Sequence, residues 1–119
     1  MSIVHLHPHR SVIFHAWTTR ARWMLLADAV GLIVGMVLGE GLIAMLGYGD
    51  DPVSAPLWAK AVAGGVGVTV TLIAPVIGVV FGRRGMAADE GRSARTITVV
   101  HALFALAMVL TNLAGLIAA

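Results

Sequence analysis

The chain has 119 residues, of which 59% are hydrophobic and 12% charged, with a formal net charge of +2 and no cysteine. A soluble domain of this size exposes too much surface to be so apolar, since ordinary usage is about 25% charged. With a mean hydropathy of +0.93, the class is a single-domain integral membrane protein, and cysteine-based disulfides, nucleophiles and metal sites are excluded.

The chain opens with "HLHPH", in which His5, His7 and His9 alternate. Alternation puts the imidazoles on one side of an extended segment, a donor set suited to zinc, nickel or copper. No Cys, Asp or Glu completes the set, so a solvated or headgroup-contacting tail is the expectation and a metal site the alternative. Residues 11–22 mix Val12, Ile13, Phe14 and Trp17 with Arg20 and Arg22. That mixture predicts a short interfacial helix with Ser11 as its N-cap, leading into the first span. Residues 1–22 then form a cytoplasmic tail and interfacial helix, and 23–119 a three-helix transmembrane domain.

Three apolar runs, about 23–47, 57–82 and 97–118, each meet the need for about 20 residues to cross a core of about 30 Å. Helices are expected, because lipid forces backbone groups to bond within their own segment. The first run is read as a span and not a signal peptide, being too long, starting too late and lacking an A-x-A site. Between the first two runs lies a short acidic loop with Asp50 and Asp51. Between the last two lies a basic loop with Arg83, Arg84, Arg92 and Arg95. Seven of the eight basic residues fall on one side, with Lys60 near the other. The positive-inside rule then sets the N-terminus in the cytoplasm and the C-terminus outside. This asymmetry accounts for the basic charge without nucleic acid.

In the first span Ala27, Gly31, Gly35 and Gly39 recur every four residues and form one stripe. Small residues at this spacing allow close helix approach, the main route to association in lipid. In the second span Ala61 and Gly65, followed by Thr69, repeat the spacing and are expected to pack. "AGGVGV" is not a phosphate loop, since no strand precedes it and no Lys-Ser/Thr follows. Pro75 removes a backbone donor, frees the Thr71 carbonyl and predicts a kink.

Ionisable residues inside a span are candidate functional groups whose partners need naming. Asp28 lies five residues past Trp23, and His101 five past Thr96 on a helix running the same way. Both sit about 7 Å from the cytoplasmic boundary, and Asp28 points within about 20° of Gly35 and Gly39. His101 begins a polar seam that continues through Ala105, Met108, Asn112 and Gly115. Asp28 and His101 are therefore expected to meet or to share a partner. Towards the outer side, Lys60 can snorkel to Glu40, and an ion pair between them is expected.

No catalytic constellation is present: Ser2, Ser11, Ser54 and Ser93 lie in tails or loops with no base beside them. The leading expectation is a small, non-catalytic accessory or structural subunit of a larger membrane complex for energy transduction or transport, in a bacterial inner membrane. Its partners are the bilayer and other membrane subunits or further copies of itself. The alternative is a homo-oligomeric proton or cation channel or carrier using the intramembrane carboxylates. A third reading is an anchor lending His101 to a shared haem or metal site, which needs another chain because no second intramembrane histidine is available. No cofactor is expected on the leading reading.

Overall fold

The computed structural model describes residues 16–118, and all its regular elements are helical. Helix α1 spans Ala16–Ile43, α2 spans Leu57–Ala87 and α3 spans Arg92–Ile117. All three are long and apolar enough to cross a membrane. They run up, down and up, with α2 between α1 and α3 as the helix on which both pack.

Of the short interfacial helix expected over 11–22, residues 16–22 are continuous with α1, and 11–15 lie outside the described residues. His5, His7, His9 and Ser11 also lie outside them. α2 runs on to Ala87 and α3 begins at Arg92, each extending five residues beyond the corresponding apolar run. The physical reason is that hydropathy marks the lipid-facing length, whereas backbone hydrogen bonding continues past that boundary.

The turns have local causes. After α1 the chain makes one π-helical turn, Ala44–Tyr48, in which Gly47 takes φ 93°. Glycine adopts this left-handed conformation without a Cβ penalty, so the helix can end here. Asp51 then caps a single 3-10 turn, Pro52–Ser54, accepting at Oδ1 from the Ser54 N–H. At the other end of the bundle, Asp89 (φ 56°) and Gly91 (φ 95°) reverse the chain between α2 and α3. The Glu90 N–H donates back to Gly85 O at 3.0 Å.

Packing is inverted relative to a water-soluble bundle. Large side chains such as Val30, Ile33, Val37, Leu103, Leu106 and Leu110 face outward, while α2 buries only Ala, Gly, Thr71 and Pro75. Gly31, Gly35 and Gly39 of α1 lie against Thr71, Gly67 and Ala63 of α2. A Cβ on Gly67 would stand 2.7 Å from Gly35 O and 3.7 Å from Gly39 Cα. The first helix therefore does use its glycine stripe, with Ala27 half-buried at the inner end.

The small-residue stripe noted on the second helix is not the face that packs within this bundle. Ala61, Gly65 and Thr69 are exposed, and nothing lies within 4 Å of a Cβ on Gly65. The packed face is Ala59, Ala63, Gly67 and Thr71 instead. The two sets are offset by two residues, which is about 200° around a helix and so the opposite side. Small-residue spacing was present on both faces, and spacing alone does not choose between them. Pro75 is buried within α2, which is helical throughout, and Thr71 Oγ1 donates to Gly67 O at 2.9 Å.

Gly67→Ala should therefore destabilise the bundle by about 1–3 kcal/mol, because backbone on α1 has to move. Gly65→Ala should stay within about 0.5 kcal/mol of wild type. Unfolding of the monomeric protein in a dissociating detergent, followed by circular dichroism, compares the two; equal losses would contradict this packing.

Candidate functional site

Three groups of polar residues are distributed along the bundle. The first joins α1 to α3. Asp28 Oδ2 lies 2.7 Å from His101 Nδ1, with the His101 side chain fully buried and that of Asp28 at 5% exposure. Asp28 reaches this position because it shares the inward face of α1 with Gly35. His101 reaches it because α2 has a glycine where the ring lies: a Cβ on Gly78 would stand 2.5 Å from three of its ring atoms.

The other ring nitrogen determines the chemistry. His101 Nε2 lies 2.8 Å from the carbonyl oxygen of Ala21. A carbonyl only accepts, so Nε2 carries a hydrogen and donates it. Nδ1 and Oδ2 cannot face one another at 2.7 Å as two lone pairs, so one further proton belongs to the pair. Whether it sits on the ring or on the carboxyl, the sum of charges is zero, which is the arrangement that burial away from water demands. Nδ1 makes no well-directed hydrogen bond and Asp28 Oδ1 has no partner, so proximity and charge hold the contact.

The second group closes the arginine-rich end. Glu90, 2% exposed, extends from the turn between α2 and α3 to the start of α1. Its Oε1 accepts from the Trp17 N–H at 3.1 Å, and its Oε2 accepts from the Thr18 N–H and hydroxyl, each at 3.3 Å. First-turn N–H groups have no intrahelical acceptor, and the positive end of the helix dipole favours a carboxylate there. Gly85 again makes the room, since a Cβ on it would lie 2.7 Å from Glu90 Oε2. Beside this cap the Trp17 ring packs on Phe81, with the guanidinium carbons of Arg20 and Arg84 at 4.7 and 4.8 Å from its centre. Each arginine thus satisfies part of its charge on an aromatic face.

The third group surrounds a cleft of about 810 Å³ at the opposite end, where α1 and α3 diverge over α2. Its polar lining comprises Glu40, Lys60, Thr71, Thr111 and Asn112. Met108, Asn112 and Gly115 of the polar seam face this cleft, so the seam divides between it and the ion pair at His101. The Asn112 amide packs on α2, where a Cβ on Gly64 would meet its Nδ2 at 2.8 Å.

The ion pair expected between Glu40 and Lys60 does not form among the described residues; Lys60 Nζ donates to Val53 O at 2.9 Å instead. Glu40 is off the glycine stripe and exposed, while the lysine stem folds back over its own hairpin. The Lys60 ammonium is used on a carbonyl seven residues earlier in the chain.

Sequence reasoning missed Glu90, Gly78 and Gly85. Nothing near Glu90 in the sequence marks its role, because its donors lie 72 and 73 residues away. Gly78 and Gly85 carried no signal beyond the general abundance of glycine. Among the described residues no three His, Cys, Asp or Glu side chains converge on a point that would suit a metal ion.

No protein-family model, curated protein or solved structure matches this chain.

A double-mutant cycle measures the ion pair. Asp28→Ala and His101→Ala should each destabilise the bundle by about 3–5 kcal/mol, since each leaves a buried partner uncompensated. The double variant should lose at least about 1 kcal/mol less than the sum. Additive losses in denaturant unfolding would mean the pair contributes nothing as a pair.

Proposed function

We propose that this protein is a non-catalytic integral membrane subunit that packs against a further transmembrane helix through the outer face of α2. The observation that carries this reading is the second small-residue face of the central helix. Ala61, Gly65 and Thr69, with Val62, Val66 and Val70 beside them, line a shallow open hollow on the exposed side of α2. Thr69 Oγ1 donates to Gly65 O at 2.7 Å, so the face presents no unsatisfied hydroxyl to lipid or to a neighbour. Helices associate in membranes through such faces, by close van der Waals contact. The proposed orientation puts the arginine-rich end, with Glu90 and the start of α1, in the cytoplasm of a bacterial inner membrane. The bilayer and a partner subunit, either another protein or a second copy, complete the assembly.

The enclosure of Asp28 and His101 supports their role as a tie between α1 and α3 over the alternative of proton or cation conduction. A proton carrier needs alternating access to its carboxylate from water, and 5% side-chain exposure gives little. The cleft ends at Thr71 and does not include the ion pair among its lining residues.

Native gel electrophoresis of membranes solubilised in mild detergent tests the subunit reading. The wild-type chain should migrate as a complex larger than the monomer, and Gly65→Leu should return it to monomer size. A wild-type chain that migrates alone would overturn the proposal. Separately, liposomes containing the purified protein and a pH-sensitive dye should show no proton flux above empty liposomes. A flux abolished by Asp28→Asn would establish conduction instead.

A further inference from the structure

We infer that the cleft between α1 and α3 is a binding site for one phospholipid carrying a primary ammonium headgroup. Its depth is that of one leaflet. From Lys60 at the mouth to Thr71 at the floor is eleven residues of α2, about 16 Å of helix rise and about half of a hydrocarbon core of ~30 Å. The walls are largely apolar, with Leu32, Met36, Val68 and Met108 below the mouth and Leu116 beside it. The cleft holds about 810 Å³, room for a headgroup and the upper acyl segments, with the rest of the chains left in the bilayer. The cleft is partly open and not enclosed, as occupancy by a membrane lipid requires.

The charges at the mouth select the headgroup. Glu40 and Lys60 both line the cleft and are not paired with each other. Lys60 Nζ uses one hydrogen on Val53 O, which holds the ammonium at the rim with two hydrogens to donate. Those two suit a phosphate oxygen. Glu40, an exposed carboxylate on α1, suits an ammonium that can donate hydrogen bonds in return. A zwitterionic phosphoethanolamine group satisfies both. An anionic headgroup satisfies Lys60 and is repelled by Glu40, and a trimethylated one has no hydrogen to donate to Glu40. Asn112 and Thr111 supply neutral polar contacts on the third wall.

Native mass spectrometry of the full-length protein, titrated with phosphatidylethanolamine or phosphatidylglycerol, tests this site. Phosphatidylethanolamine should be retained about tenfold more strongly. Glu40→Gln should remove that preference, and Lys60→Met should weaken both lipids. Gly115→Leu should abolish retention by filling the cleft, since nothing lies within 4 Å of a Cβ there. Gly65→Leu, on the opposite face of α2, should leave lipid retention unchanged, which separates this site from the proposed subunit interface. No retained lipid, equal retention of the two lipids, or retention insensitive to both Glu40→Gln and Gly115→Leu would overturn the inference. So would a loss of complex size with Gly115→Leu in a protein that retains no lipid, because a partner helix would then occupy the cleft.

Discussion

Close backbone contact along α2 is the constraint from which the rest of this structure follows. In lipid an apolar side chain gains nothing by leaving the hydrocarbon for a protein core, so helices hold together through dispersion contacts and the few polar groups they share. Both depend steeply on distance. Gly67 and Gly35 bring α1 against α2, and Gly78, Gly82 and Gly85 bring the α3 side chains His101 and Thr98 and the turn residue Glu90 against the same helix. With larger residues at these positions, α1 and α3 would stand apart and their polar groups could not meet over α2.

The polar groups use the room that the glycines make. His101 lies flat on Gly78 and spans from α3 to both Asp28 and the Ala21 carbonyl of α1. Glu90 fits against Gly85 and caps α1 from a turn far along the chain. Asp28 and Glu90 are acids that would be costly alone in a low-dielectric setting, and each is compensated differently. Asp28 lies 2.7 Å from a buried histidine whose other ring nitrogen is held by a backbone carbonyl. Glu90 collects backbone and hydroxyl donors at the positive end of a helix. The two ties clamp α1 to α3 and to the α2–α3 turn over the arginine-rich half. At the other end no such tie joins α1 to α3 among the described residues, and the cleft opens there.

The opening of the cleft and the failure of Glu40 to meet Lys60 are two aspects of one geometry. A residue count placed these side chains at comparable depth, yet depth is only one of the coordinates that decide a contact. Glu40 stands about 100° from Gly39 on the helix surface, and the ammonium of Lys60 is taken by the Val53 carbonyl of its own hairpin. The same angular reasoning explains the second helix. Spacing of four occurs on two faces of α2, one through Gly67 and one through Gly65, and only one of them meets α1.

Composition and periodicity alone determined that the chain is a membrane protein, that it contains three long apolar helices, and that α1 carries a glycine stripe. Hydropathy and helical period are local properties, readable without knowing any partner. They also placed Asp28 and His101 at one depth, because helix rise converts residue number directly into distance along the bundle. Tertiary structure decided the rest: which side of α2 faces α1, that Glu90 caps a helix 72 residues before it in the chain, and that Gly78 supports the imidazole. These outcomes depend on how the helices are rotated and how closely they approach. Rotation and approach are set by all contacts at once, and no single stretch of sequence encodes them.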